Sequence, residues 1–304
     1  MKTSIIIITY NGSLRIPRLL KSLSLLDENV FEVIIVNDGS TDNTVENIKQ
    51  LKLPFPYTIL SQDNMGRAAS KNNGAKRAVN ELLWFIDDDM RMAPGALTAH
   101  LMHHSRLPDS ISVGTQIEDA ALMKSDIQQY KCAISNVWKK QIETAANPLS
   151  ADDLYMTSAN VSMTREVFDR LGGFDKRLLD AEDLDLVYRA LMAGVQVYYN
   201  PAALGYHLDL ITCKSYIKRN RQYMTGYGIL RELKPHYLEI NKRMHLSTVT
   251  PGKKFILSVI SRPFFVWLID HFNIFRLILP VRMRYRFYEL LIFGLGRVFP
   301  DRKI

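Results

Sequence analysis

Three consecutive aspartates, Asp87-Asp88-Asp89, follow an apolar run, Leu82-Leu83-Trp84-Phe85-Ile86. Adjacent carboxylates repel, so such a trio at a strand's end is costly unless a cation sits there. A divalent metal with oxygen ligands is the simplest such cation, and it commonly arrives with phosphates. Asp87-x-Asp89 would let one carboxylate meet a ribose or a water while the other ligates the metal. The alternative is an N-cap cluster ahead of the helix that Pro94 opens, although one aspartate would suffice for that.

Three further segments could do chemistry. Asn37-Asp38-Gly39-Ser40-Thr41-Asp42 closes a second apolar run with a tight turn, and Asp42 can cap the helix that follows. It is a turn alone, or it sets Asp38 at the C-terminal edge of a sheet to accept a hydrogen bond from a base N–H. In Asn64-Met65-Gly66-Arg67-Ala68-Ala69-Ser70-Lys71-Asn72-Asn73-Gly74, small residues open a helix, and Arg67 and Lys71 share one face. These cations meet a nucleotide or pair with nearby aspartates. Leu171-Gly172-Gly173-Phe174-Asp175 precedes Glu182-Asp183-Leu184-Asp185-Leu186. The glycine pair lets backbone approach a ligand closely, and Glu182 and Asp183 begin a helix whose dipole favours ionised carboxylates. An ionised carboxylate beside a hydroxyl is a general base, yet acidic residues are also common in any first helical turn.

Other motifs are missing. Neither GxGxxG nor GxxxxGK[ST] occurs, which weighs against dinucleotide redox chemistry and P-loop hydrolysis. His100, His103 and His104 have helical spacing without an HExxH pattern, and read as a helix face rather than a metal site.

Short apolar runs alternating with helical patterns indicate a mainly parallel sheet. The pattern predicts strands at Ser4–Thr9, Phe31–Val36, Tyr57–Ser61, Leu82–Ile86, Ile111–Gln116, Met156–Thr164 and Val195–Tyr199. Helices are expected over Ser13–Leu26 (stripe Leu14, Leu19, Leu20, Leu23, Leu26), Asp42–Leu51, Gly66–Val79, Pro94–Arg106, Glu166–Leu171 and Ala181–Ala193. Lys124–Thr144 reads as a helical or loop insertion, and the chain from Ile211 as helical and basic.

The 304-residue chain, 47 % hydrophobic, can bury a sizeable core. Its net charge of +8 is uneven: Lys214 to Ile304 carries 18 Lys/Arg against 5 Asp/Glu, so the first 213 residues are net acidic. A basic segment rich in Phe, Tyr, Leu and Ile fits anionic headgroups or a phosphate-bearing acceptor; no nucleic-acid recognition motif is present. Phe255–Ile269 and Phe272–Val281 are apolar but interrupted by Arg262, Pro263 and Asp270. They read as a helical pair packed on the domain, as an in-plane amphipathic attachment, or least readily as a membrane hairpin. Two cysteines, Cys132 and Cys213, fit no metal or disulfide spacing, and no signal peptide is read at the N-terminus. A cytoplasmic location is the expectation, with peripheral attachment to the inner face of a membrane as one of these readings.

In this order and spacing the segments resemble glycosyltransferase family 2 and its GT-A fold, a Rossmann-like mixed, mainly parallel sheet flanked by helices. Ser4 to Asn11 and Glu32 to Asp42 match its first two strands, Asn64-x-Gly66 to Asn72-x-Gly74 the helix before its metal motif, and Phe85 to Asp89 its DXD motif. Gly172-Gly173-Phe174 and Glu182-Asp183 match its acceptor loop and base motif, so the resemblance covers about residues 3–210.

That resemblance implies a catalytic domain over 1–213, with a nucleotide-sugar part to about 106 and an acceptor part after it, and a basic helical extension over 214–304. Thr9, Tyr10, Asn11, Asp38, Arg67, Lys71, Asp87 and Asp88 would hold the nucleotide. Asp89 and His207 would ligate Mn²⁺ or Mg²⁺, and Gly172, Gly173 and Glu182 would face acceptor or sugar. Asp183 would be the base in an inverting transfer of one sugar from a nucleotide-sugar, first a UDP-sugar, to a glycan or lipid-linked acceptor. Lys214, Lys218, Arg219 and Arg221 would neutralise the diphosphate or line a solvated face. Arg219-Asn220-Arg221-Gln222-Tyr223 is not the Gln-x-x-Arg-Trp signature of processive synthases. A retaining GT-A enzyme, a non-catalytic subunit of the same fold, and a nucleotidyltransferase are the competing readings. The last should carry a Gly-rich basic loop, which Tyr10-Asn11-Gly12-Ser13 matches poorly.

Overall fold

A computed structural model describes residues 1–27, 30–153, 157–237, 249–273 and 275–304. It divides into two compact units, Met1–Ile117 with Trp138–Leu208, and Glu118–Val137 with Asp209–Ile304.

The first unit is built on one mixed sheet. Its strands are β1 (Thr3–Thr9), β2 (Phe31–Asp38), β3 (Tyr57–Gln62), β4 (Leu82–Asp87), β5 (Met90–Met92), β6 (Ser110–Glu118), β7 (Asn160–Thr164) and β8 (Gln196–His207). They run in the order β3-β2-β1-β4-β7-β6-β8-β5. The four strands β3-β2-β1-β4 are parallel, while β4–β7, β7–β6 and β5–β8 pair antiparallel. Strands buried on both faces need apolar residues at every position, which is why β1 and β4 read as unbroken runs. Strand order reverses around β1, so the C-terminal ends of β1, β2 and β4 open onto a crevice where such sheets bind ligands.

Helices α1 (Ile16–Leu23), α2 (Thr44–Lys49), α3 (Arg67–Arg77), α4 (Ala96–Arg106), α6 (Arg165–Arg170) and α7 (Glu182–Met192) belong to this unit, and α5 (Asp126–Glu143) runs through the division. Helix α1 starts at Ile16, with Pro17 in its first turn, and buries Ile16, Leu19, Leu20 and Leu23. Leu14 therefore lies before the helix, 80 % exposed, and is not part of the stripe. Helix α3 buries small residues, and a Cβ on Gly74 would come within 2.5 Å of Ile6 Cγ2. Glycine there lets α3 lie close on β1 and β2, which holds its first turn beside their ends.

Two expectations change. The final strand does not turn at Asn200-Pro201 but continues to His207, and the short strand β5 pairs with its end, Met90 opposite His207. Pro201 has no N–H to leave unsatisfied, and its carbonyl accepts from the Thr115 hydroxyl (3.3 Å). The strand expected from Met156 begins outside the described residues and is seen from Asn160.

His100 and His104 form no solvated face, being 0 and 1 % exposed. His100 Nε2 donates to Asn160 Oδ1 (3.0 Å), which also accepts from Trp84 Nε1 (2.9 Å), while the Asn160 amide donates to the Thr115 and Ala203 carbonyls. Ser162 Oγ meets His100 Nδ1 at 2.8 Å and His104 Nε2 at 2.9 Å. This polar network ties α4 to four strands, and burial lowers the His100 pKa to about 4 and the His104 pKa to about 3.

The second unit is helical beyond the first half of α5: α8 (Cys213–Leu233), α9 (Pro251–Ile260), α10 (Pro263–Phe272), α11 (Phe275–Ile278), α12 (Val281–Phe293) and a π-helical turn at Gly294–Val298. Its core includes Ile127, Tyr130, Ile217, Ile269, Tyr288 and Leu291. Asp126, wholly buried, accepts from Arg284 Nε (3.0 Å) and the Tyr288 hydroxyl (2.7 Å), so its charge is compensated. Thr212 and Ser215 form a capping box for α8. Arg221 donates to the Leu295 and Arg302 carbonyls, so it braces this unit rather than lining a solvated face.

Candidate active site

The ends of β1, β2 and β4 and the start of α7 bring together most of the residues singled out in the sequence. Thr9, at the end of β1, donates to Asp88 Oδ2 at 2.7 Å. Arg15 grips the same carboxylate with Nε on Oδ1 and Nη2 on Oδ2, both at 3.1 Å, and also holds the Tyr10 carbonyl. Gly12 lies against this knot, since a Cβ there would overlap Thr9 Oγ1 and Asp88 Oδ2. Burial pushes the Asp88 carboxyl above its ordinary value, and the Arg15 contacts pull the other way. The middle aspartate thus fastens the β1–α1 loop to the end of β4. Arg15 is the residue that sequence reasoning missed.

Tyr10 leaves its side chain half exposed beside this loop. Asn11 has φ of 50°, and its Oδ1 accepts from Thr41 N at 2.8 Å, joining the loops after β1 and β2. Asp38 is buried and accepts from Gln62 Nε2 (2.8 Å), Met65 N (2.8 Å) and Gly66 N (3.0 Å). Three of its roughly four acceptor positions are filled, so it first anchors the turn into α3 and keeps one position for a ligand.

Helix α3 links the two acidic clusters. Arg67 reaches Asp87 Oδ2 (3.3 Å) and Asp180 Oδ1 (3.1 Å). One turn later Lys71, 1 % exposed, places Nζ at 2.7 Å from both Glu182 Oε1 and Asp183 Oδ1, and 4.7 Å over the Phe174 ring. Both cations pair with carboxylates, as one of the two readings of the sequence has it. Lys71 is turned to the carboxylates of α7 rather than toward the strand ends.

Glu182 is itself only 1 % exposed and held by Lys71, so it has no surface with which to contact an acceptor. Asp183 keeps 22 % of its side chain exposed, and its Oδ2 accepts from Ser158 N (2.9 Å) and Ser158 Oγ (3.1 Å). Burial works against its charge, but Lys71 and the Ser158 N–H hold its carboxyl below the ordinary value. Asp183 is therefore an ionised carboxylate that solvent can reach.

The glycine pair has a structural role of its own. Gly172 and Gly173, with φ of 74° and 67°, close α6 by donating to the Asp169 and Phe168 carbonyls. The space beside Gly173 is filled by Asn72 Oδ1, while that beside Gly172 is open. Asn72 clamps the backbone of Phe174 through Phe174 N (2.9 Å) and Phe174 O (2.8 Å), seating the ring under Lys71.

At the other side of the trio, Asp89 Oδ2 faces His207 Nε2 at 3.3 Å, a closeness set by the pairing of β5 with the end of β8. Asp89 Oδ1 is buried with no hydrogen-bond partner among the described residues. Burial opposes its charge, and His207, Arg15 and Arg67 outweigh that and hold the carboxyl far below the usual range. An orphaned carboxylate oxygen beside an imidazole nitrogen suits a divalent ion. Among the described residues no three His, Cys, Asp or Glu side chains converge, so this pair would be an incomplete ligand set.

A half-parallel, half-antiparallel sheet with acidic residues at its strand ends is the GT-A fold of sugar transferases. The mannosyltransferase PcManGT of Pyrobaculum calidifontis, solved with GDP-Man and Mn²⁺, superposes with a TM-score of 0.65 over 99 % of this chain and 88 % of its own, at 17 % identity. S. aureus TarS 1-349, solved with UDP, gives a TM-score of 0.56 over 99 and 92 %, at 15 % identity. The chain belongs to glycosyl transferase family 2, whose model matches residues 4–172. It is 27 % identical over 221 residues to a pre-mycofactocin glycosyltransferase of Mycobacterium tuberculosis, across 72 % of this chain and 45 % of that protein. The chain thus spans about half the length of that relative. Asp183 and His207 lie beyond the family match, so they rest on the resemblance in the sequence and on their geometry.

Proposed function

We propose that the chain transfers one sugar from a nucleoside diphosphate sugar to an acceptor hydroxyl, with inversion at the anomeric carbon. The observation that carries this is α3: two cations one turn apart tie the Asp87–Asp89 turn, through Arg67, to the ionised and reachable Asp183, through Lys71. Donor and base are thereby held by one rigid element, the positioning that transfer needs.

The donor nucleoside would lie along Thr9, Tyr10, Asn11 and Asp38, with Asp87 turned to the ribose or a water. Asp88 positions this wall rather than touching the donor. Two structural relatives hold GDP-Man and UDP, so the donor class is a nucleoside diphosphate sugar, with UDP-sugars the first to test. Asp89 and His207 would hold Mn²⁺ or Mg²⁺, which supplies charge neutralisation for the departing diphosphate. Asp183 accepts the acceptor's hydroxyl proton as that oxygen bonds to the anomeric carbon, while the bond to the diphosphate breaks and its electron pair leaves with the nucleotide. Lys71 and Ser158 keep Asp183 charged and aimed. The acceptor is a glycan or a lipid-linked glycan precursor.

Asp183→Asn should abolish transfer and leave donor binding, measured by calorimetry, intact. Full activity in that variant would remove the base assignment. NMR of the anomeric proton in the first product should show inverted configuration, and retention would overturn the mechanism. Failure of every nucleotide-sugar to bind with metal would leave a non-catalytic member of the family.

A further inference from the structure

The second unit carries an apolar face that its own core does not use. Helices α9 and α10 bury Leu257, Val266 and Ile269, yet Phe255, Ile256, Val259, Phe264 and Trp267 are 48–72 % exposed, and Leu277 on α11 is 83 % exposed. The exposed aromatics touch one another: Phe264 stacks on Trp267 at 6.2 Å, and Trp267 meets Phe272 edge-on at 5.0 Å. Exposed apolar residues gathered this way mark an interaction surface, and tryptophan favours the boundary between water and lipid.

Charge says what the partner is. Lys253, Lys254, Arg262, Arg276 and Arg282 are exposed along the same helices. Asp270 is the one carboxylate between Thr250 and Met283, and its oxygens accept from Cys213 N (2.6 Å) and Lys214 N (3.1 Å) at the start of α8. Over this stretch five cations stand against one carboxylate whose oxygens are already engaged. Arg282 and Arg286, the latter paired with exposed Glu289, line an open groove with Met283, Phe287 and Leu290. A second copy of the chain fits poorly, because the same cations would face one another.

Length says how the partner is met. Among the described residues no single helix is long and apolar enough to cross a membrane. Helices α9 and α10 pass that test only together, bent by 48°. Spanning would strip Leu257, Val266 and Ile269 from the interior and draw Arg262 into hydrocarbon. An element with one face in the protein and the other apolar with a basic rim lies in the interface plane.

We propose that this face docks in plane on an anionic lipid bilayer, with Phe255, Ile256, Phe264 and Trp267 entering the headgroup–acyl boundary and Lys254, Arg262, Arg276 and Arg282 meeting the headgroups. This rests on the second unit alone and stands whether or not the transfer reaction is as proposed.

The test is sedimentation of the full chain with vesicles of phosphatidylcholine alone and of phosphatidylcholine mixed with phosphatidylglycerol. Binding should need the anionic lipid and weaken with salt. Lys254→Gln with Arg262→Gln should weaken partitioning about thirtyfold, at about fivefold per charge. Phe264→Ser with Trp267→Ser should abolish it, while Met102→Ser, an exposed residue of α4, should leave it unchanged. In a Trp138→Phe background, where the remaining tryptophan besides Trp267 is the wholly buried Trp84, brominated acyl chains should quench the part of the emission that Trp267→Phe removes. Any of four results overturns the proposal: no sedimentation at low salt, equal binding to phosphatidylcholine alone, unquenched Trp267, or a dimer in solution that the Phe264/Trp267 variant abolishes.

Discussion

Lys71→Met probes the connection on which the site depends. The lysine is 1 % exposed and lies 2.7 Å from each of two carboxylates, one of them, Glu182, equally buried. Methionine fills much of the same space but leaves both anions without their cation. Removing one partner of a buried pair costs about 3–5 kcal/mol. At about 2–4 °C per kcal/mol for a chain this large, the melting temperature should fall by at least about 6 °C.

The pH dependence has a definite sign. Burial works against the Lys71 charge, but Asp183 and Glu182 raise its pKa, so its contribution is complete below its ordinary value of 10.5 and is lost above it. The Asp183 pKa is lowered, so its contribution is present above the ordinary 3.8 and is lost as pH falls through the lowered value. Near neutrality both are in force. In the variant the carboxylates bind protons more readily, so the deficit against wild type should shrink as pH falls. The acidic limb of kcat should move to higher pH, because the base must be ionised to act. Adding Glu182→Leu should restore much of the stability, since an apolar replacement of a buried pair is often neutral, but should not return the limb to its place. Thermal melts across pH and a kcat–pH profile measure both effects. A melt near pH 7.5 within about 1 °C of wild type, together with an unmoved limb, would refute the pairing as the device that sets Asp183.

Other perturbations reach different parts of the molecule. Asp89→Ala should lose the Mn²⁺-dependent thermal stabilisation by a nucleoside diphosphate sugar, and an undiminished shift would move the metal site elsewhere. Gly12→Ala forces a methyl onto Thr9 and Asp88, at about 1–3 kcal/mol, and should raise the donor KM about tenfold or more. Buried neutral His100 and His104, with pKa values near 4 and 3, make the fold acid-labile. Both pKa values are lowered, so the unfolded chain binds protons first as pH falls. Denaturant titrations should show each histidine costing about 2 kcal/mol between about pH 6.5 and 4.5, and a flat profile would contradict their neutrality.

Legibility in the sequence followed the range of the interaction. Strands β1, β2 and β4 were readable because burial on both faces imposes an unbroken apolar run, and the aspartates mark where β4 meets solvent. Strand β5 was not, since Met90-Arg91-Met92 is too short to show alternation, and Pro201 masked the far half of β8. The place of His207 beside Asp89 depends on that unseen pairing, and only the family resemblance proposed it. The histidines of α4 read only as a helix face, and what that face meets was not legible because Asn160 and Ser162 are polar residues of a strand far along the chain. Lys71 reaches Glu182 and Asp183 across separations of 111 and 112 residues, which no local pattern encodes. The trio illustrates the same limit at its centre. Its spacing named three carboxylates but not their directions, and neighbouring residues in a turn cannot all face one way. Asp88 turns inward to Thr9 and Arg15, and by taking that position leaves Asp87 to Arg67 and Asp89 to His207. The residue with no chemistry of its own is what gives its two neighbours their separate partners.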